Sequence, residues 1–147
     1  MIVLDTNVLS ELMKPDPARR VVRWVRSQES TAITAVTVAE ILYGIARLPH
    51  GRRRSALSSA ATALFDEYAE NTLGFTADEA PHYAELATRR EQAGQPIADI
   101  DAQIAAICRR HQVPLATRNV KDFENTGVLV IDPWADPAVA AEHPLPR

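Results

Sequence analysis

Apolar residues along this chain fall into short runs separated by stretches with helical spacing. The first run, Met1-Ile2-Val3-Leu4, stops abruptly at Asp5-Thr6-Asn7 and reads as a short strand buried on both faces, as in a parallel sheet. Val8, Leu9, Leu12 and Met13 then repeat as a short helix that Thr6 or Asn7 could cap and that ends by Pro15. Asp16-Pro17 is a helix start signal, and Ala18, Val21, Val22 and Val25 give the next helix one apolar face as far as Arg26. Thr31 to Val36 is β-rich and predicts a second strand. Val38, Ile41, Leu42 and Ile45 predict a helix after it. Pro49-His50-Gly51 is a turn, followed by a helix that opens on Arg52-Arg53-Arg54 and carries Leu57, Ala61, Leu64 and Tyr68.

Thr72-Leu73-Gly74-Phe75 predicts a third strand. Thr76 and Glu79 form a capping box for a helix with Ala80, Tyr83, Ala84 and Ala87, which Gly94 ends. Ile100, Ile104, Ile107 and Cys108 mark a helix reaching about His111, and Pro114–Thr117 and Val128–Ile131 are the last two strands. Strands separated by helices imply crossover connections. The expected fold is α/β: a three-layer α/β/α sandwich around a short, mostly parallel five-stranded sheet. Residues 1–134 read as one domain and 135–147 as a proline-rich, loosely held tail, without internal repeats.

Composition narrows the class without naming it. At 147 residues, 46% hydrophobic and 24% charged, the chain suits one globular core. A net charge of −3 gives no global attraction to nucleic acid, so such binding would need a local patch. The single cysteine, Cys108, reads as a small buried hydrophobe. No signal peptide or membrane-length apolar run appears, since Asp5 interrupts the first candidate, and the cytoplasm is the expected compartment.

Acids change the picture. Asp5, Glu40, the Asp99/Asp101 pair and Asp122 each follow a strand or open a helix, and a parallel sheet points its carboxyl ends to one edge. Each has a bland alternative. Asp5 could serve an Asx turn, and Thr37-x-x-Glu40 has the form of a capping box. Asp99 and Asp101 suit a helix start, although two acids are more than one cap needs, and Asp122 could be a solvated loop acid. Two carboxylates ~4 Å apart repel by roughly 4 kcal/mol at an effective dielectric near 20, so several together call for a cation or a proton. Oxygen ligands without a histidine or cysteine partner select Mg²⁺ or Mn²⁺, and such ions suit phosphodiester cleavage. The four histidines lack ligand spacing, and five glycines leave little room for a phosphate loop.

Four segments together resemble the PIN-domain ribonucleases, VapC and FitB-type toxins in particular. They are Ile2-Val3-Leu4-Asp5-Thr6-Asn7-Val8-Leu9-Ser10-Glu11, Ala35-Val36-Thr37-Val38-Ala39-Glu40-Ile41, Pro96-Ile97-Ala98-Asp99-Ile100-Asp101-Ala102-Gln103-Ile104-Ala105-Ala106 and Ala116-Thr117-Arg118-Asn119-Val120-Lys121-Asp122-Phe123. Any one is weak; four in order are specific. The Asp132-Pro133-Trp134 ending leans toward the FitB-like branch. The resemblance implies a PIN fold, Mg²⁺- or Mn²⁺-dependent RNA cleavage, a cognate small DNA-binding antitoxin and a homodimer. It makes Asp5 and Asp101 the main metal aspartates and Glu40 the second acid, with Asp99 an alternative ligand. The family's acid after Thr-Arg is here Asn119, so either Asp122 supplies the fourth charge or Asn119 orients water. Arg118 and Lys121 are the expected RNA phosphate contacts.

Rival readings remain at this level. A haloacid-dehalogenase-type phosphatase also begins with a strand ending in aspartate, but its second aspartate is here Asn7. A phosphoacceptor receiver domain would need a matching lysine after a late strand. A non-catalytic PIN module that docks RNA or a partner would have no reason to keep Asp5, Glu40 and Asp101 together.

Overall fold

A computed structural model describes residues 1–135. The expected tail therefore lies outside the described residues, apart from Ala135. Five short strands, β1 (Ile2–Leu4), β2 (Thr31–Thr34), β3 (Thr72–Leu73), β4 (Leu115–Ala116) and β5 (Val130–Ile131), form one sheet in the order β3-β2-β1-β4-β5. All four pairings are parallel, with Ile2 opposite Thr31, Val3 opposite Leu115, Ile33 opposite Thr72 and Leu115 opposite Val130. The chain runs outward from β1 through β2 to β3, then returns to lay β4 and β5 on the other side. A crevice opens where the order reverses, at the carboxyl ends of β1 and β4. Asp5 and Thr117 are the first residues past those two ends.

Helices α1 (Thr6–Leu12), α2 (Arg19–Ser27), α3 (Ala35–Ala46), α4 (Arg52–Glu67), α5 (Ala80–Gln92) and α6 (Asp99–His111) cover both faces. Ile2, Leu4 and Ile33 pack with Val8, Leu9, Val21, Ile41 and Ala61 on one side. Val3, Ala32 and Leu115 pack with Leu86, Ala102, Ile104, Ala105 and Phe123 on the other. Successive strand residues point to opposite faces and both faces are covered, which is why the strands read as unbroken apolar runs. Each fully buried aliphatic side chain contributes roughly 1.5–3 kcal/mol. Cys108 is buried in the second core, where burial pushes its thiol up to about 12, so it packs as a hydrophobe.

Helix starts depart from the sequence expectation at α1, α2, α3 and α5, the last beginning at Ala80 past the expected Thr76/Glu79 box, with Glu79 as an N-cap residue that makes no side-chain cap. Strand β2 ends at Thr34 instead of Val36, because the Thr34 hydroxyl accepts the Thr37 N–H at 3.0 Å and caps α3. Thr37 therefore lies inside the helix and opens no capping box, which releases Glu40 for other contacts. Helix α1 is capped by Asp5, which accepts the Thr6 N–H, and by neither Thr6 nor Asn7. Helix α2 begins at Arg19, past Asp16-Pro17, and Glu11 Oε1 from α1 accepts the Ala18 N–H at 3.0 Å. A tertiary acceptor has replaced the local one. The end of α5 is as expected: Gly94 follows the C-cap with φ +70, a conformation that costs glycine little.

Candidate active site

Asp5 is only 4% exposed, and its carboxylate accepts three hydrogen bonds. Its Oδ1 accepts the Thr6 N–H at 2.8 Å; its Oδ2 accepts the Thr117 hydroxyl at 2.7 Å and Asn7 Nδ2 at 3.3 Å. Asn7 Nδ2 also donates to Thr117 Oγ1 at 2.9 Å, and Asn7 Oδ1 accepts the Arg118 N–H at 3.1 Å. The ends of β1 and β4 are thus laced together through side chains. Burial raises the Asp5 carboxyl above its ordinary value, the Thr117 and Thr6 bonds oppose that, and the charges of Glu40 and Asp122 push it further up.

Glu40 reaches the same place from α3. Thr6 Oγ1 donates to Glu40 Oε1 at 2.6 Å, and the Thr37 hydroxyl lies 3.2 Å from Thr6 Oγ1. A hydroxyl carries one proton, and the short contact to the carboxylate takes it. Thr6 thereby fixes the orientation of an acid 34 residues away in the chain.

Asp101 sits in the first turn of α6, whose N-cap is Ala98 with no side-chain hydrogen bond, so neither Asp99 nor Asp101 occupies the cap position. Its carboxyl is raised to about 6, first by burial and then by the charges of Asp5, Asp122 and Glu40, while Arg90 opposes the shift. Four acids from four separate segments therefore feel one another. A cleft of about 450 Å³ holds Asp5, Glu40, Asp101 and Asn119 with a basic wall of Lys14 and Arg118, closed by Trp134. Asp99 is exposed and accepts the Tyr83 hydroxyl at 3.2 Å, outside that lining. Lys121 is exposed and also outside it, whereas Asp122, one residue on, lends its charge from the rim.

Residues 2–129 match the model of the PIN domain. The chain is 38% identical to the VapC ribonuclease Y4jK of Sinorhizobium fredii over 137 residues, covering 91% of this chain and 98% of that protein. It is 36% identical to the toxin FitB of Neisseria gonorrhoeae, covering 92% and 100%. A solved structure of FitAB bound to an IR36 DNA fragment superposes with a TM-score of 0.85 at 36% identity, over 92% of this chain and 96% of that one. The chain belongs to the PIN-domain family. It lies with the VapC and FitB-type members, and its parallel sheet and two helical layers are the PIN fold.

Within this PIN domain several contributors escaped the sequence reading. Thr117 and Asn7 hold Asp5, Thr37 supports Thr6, and Glu11 pairs with Lys14 Nζ at 2.5 Å on the cleft wall. The pairing holds the Glu11 carboxyl below its ordinary value, with the Ala18 N–H adding to the effect. The Leu4-Asp5-Thr6-Asn7 stretch carried a signal for Asn7 only as a possible helix cap. Thr117→Val should destabilise the protein by about 1–3 kcal/mol, because the buried Asp5 Oδ2 loses the shorter of its two hydrogen bonds and the Asn119 N–H loses its acceptor. Urea unfolding measures it, and an unchanged midpoint would remove Thr117 from the network.

Proposed function

We propose that this PIN domain is the toxin of a type II toxin–antitoxin system, a Mg²⁺- or Mn²⁺-dependent endoribonuclease. The observation that carries the reading is the convergence of Asp5, Glu40, Asp101 and Asp122, with Asp101 raised to about 6 by burial and by the charges of the other three. Among the described residues no three Asp, Glu, His or Cys side chains form a ready cage for a metal. That suits Mg²⁺, which keeps several waters and takes one or two carboxylates, better than a cation needing full protein ligation. Asp5 and Asp101 would hold the ion, with Glu40 beside them. When bound, such an ion activates water and neutralises charge on a phosphoryl group.

The chain's own residues supply the rest. Glu40, oriented by Thr6, or Asp122 at the rim takes the proton of the attacking water, and Asn119 helps to orient that water. Arg118 in the cleft, and Lys121 outside it, approach the RNA backbone. Asn7 cannot act as the general acid of a phosphatase, since its amide is committed to Asp5, Thr117 and Arg118 and it has no carboxyl proton.

The toxin works in the cytoplasm, restrained by a small DNA-binding antitoxin, a reading supported by the likeness to FitAB. No helix among the described residues is long and apolar enough to cross a membrane. A homodimer is favoured by the exposed Leu42, Tyr43, Phe75 and Ile100, the last three of which line an apolar groove beside Glu40.

Purified protein should cut single-stranded RNA with Mg²⁺ and not with EDTA; cleavage that survives EDTA defeats the metal reading. Stability provides a second readout. Asp101 has a folded value of about 6 against an ordinary 3.8, so the stability it contributes is present below 3.8 and lost as pH rises through about 6. A cation reverses that loss by neutralising the charges. Mg²⁺ or Mn²⁺ should raise the Tm strongly at about pH 7.5 and hardly at about pH 5, where Asp101 keeps its proton. A metal-induced shift that is equal at both values counts against Asp101 as a ligand.

A further inference from the structure

The cleft has a feature that phosphate binding alone does not use. Trp134, just past β5, lies under Arg118, whose guanidinium carbon sits 5.2 Å from the indole centroid. Both residues line the cleft that holds Asp5 and Asp101. The pair is anchored at each end. The Arg118 N–H donates to Asn7 Oδ1, which ties its backbone to the Asp5 network. The Trp134 N–H donates to Asp132 Oδ1 at 2.8 Å, its carbonyl accepts Arg20 Nη1 at 3.1 Å, and its half-buried ring packs on the first core.

An arginine meant only to meet a phosphate gains from staying free to rotate. Here the indole holds the planar group over its face, and Arg118 remains exposed on the side away from it. A flat, cationic, partly fixed surface beside a phosphodiester centre suits the face of an unstacked nucleobase, since bases stack on arginine planes as well as on aromatic rings.

We infer that the Trp134-backed Arg118 guanidinium is a stacking platform for the base next to the scissile phosphate, a specificity-determining subsite of the nuclease. This rests on the ribonuclease reading above. The platform takes a single-stranded segment and rejects a duplex, whose bases remain stacked on one another. It recognises a π-face more than a hydrogen-bonding edge, so it favours bases by stacking strength, purines over pyrimidines.

The test compares a short single-stranded RNA with the same oligonucleotide made abasic at one position at a time. Binding is measured on Asp101→Asn, so that no cleavage interferes. Loss of one particular base should weaken binding by about fivefold or more, while loss of the others changes it little. Arg118→Lys, which keeps the charge and loses the plane, should erase that base dependence and leave the salt dependence of binding in place. Trp134→Leu should reduce the base dependence and Trp134→Phe should retain it. Equal affinity for intact and abasic RNA, or an Arg118→Lys variant that discriminates as well as the parent, overturns the platform and leaves the nuclease standing. Failure of either oligonucleotide to bind, with no RNA cleavage by the unmutated protein, overturns both together.

Discussion

Asp101→Asn is expected to abolish RNA cleavage while making the metal-free protein more stable. The two effects have one cause. Asp101 is half-buried at the start of α6, and that burial, followed by the charges of Asp5, Asp122 and Glu40, raises its carboxyl to about 6. At neutral pH it is held ionised against that environment, and an amide of the same shape removes the repulsion. Roughly 1–2 kcal/mol of added stability follows, of the size usual when a functional residue is relieved of an unfavourable charge. Activity should fall by on the order of a thousandfold if the ion that stabilises charge at the phosphoryl group is held by Asp5 and Asp101 as proposed. Urea unfolding in EDTA and an RNA cleavage assay check the pair of outcomes. A variant that is both inactive and less stable would mean that Asp101 serves the fold instead.

Asp5 should behave in the opposite sense, although it belongs to the same centre. Its oxygens cap α1 and accept from Thr117 and Asn7, so Asp5→Ala removes bonds as well as charge. The two aspartates separate because one is built into the ends of two strands and the other merely faces them.

That difference also marks what could be read along the chain. The five strands, the helical layers and the acids were legible because apolar runs and helical spacing are local signals. Convergence of the acids followed from one argument, that parallel strands share a carboxyl edge. The supports were not legible. Thr117 lies 112 residues from Asp5 and Glu40 lies 34 from Thr6, so nothing in the local sequence distinguishes these hydroxyls from turn residues. The helix starts misread for the same reason. Thr37-x-x-Glu40 and Asp16-Pro17 are sound local signals that lose to Thr34, already placed by β2, and to Glu11, reaching across from α1.

Arg90→Met should be the most damaging single change outside the acids. Arg90 is 6% exposed yet forms no ion pair among the described residues. Its guanidinium is spent on carbonyls: Nε donates to Gln95 O at 2.6 Å and Nη1 to Glu124 O at 2.6 Å, with Lys121 O at 3.5 Å. Those carbonyls belong to the turn after α5 and to both ends of the 3₁₀ turn Val120–Phe123, which carries Asp122. Removing the guanidinium deprives the Gln95 and Glu124 carbonyls of its hydrogen bonds, leaves Lys121 O with only the Glu124 N–H, and withdraws a positive charge that opposes the rise at Asp101. A loss of roughly 3–4 kcal/mol is expected, with Asp122 no longer held at the rim. Arg90→Lys, with a single ammonium, can satisfy one carbonyl and should recover only part of this. Amide hydrogen exchange localises the effect: residues 120–126 should lose protection in both variants, while the β1–β4 ladder keeps most of its own in Arg90→Lys. An Arg90→Lys protein as stable and as active as the parent would show that the charge alone matters and that the forked carbonyl contacts do not.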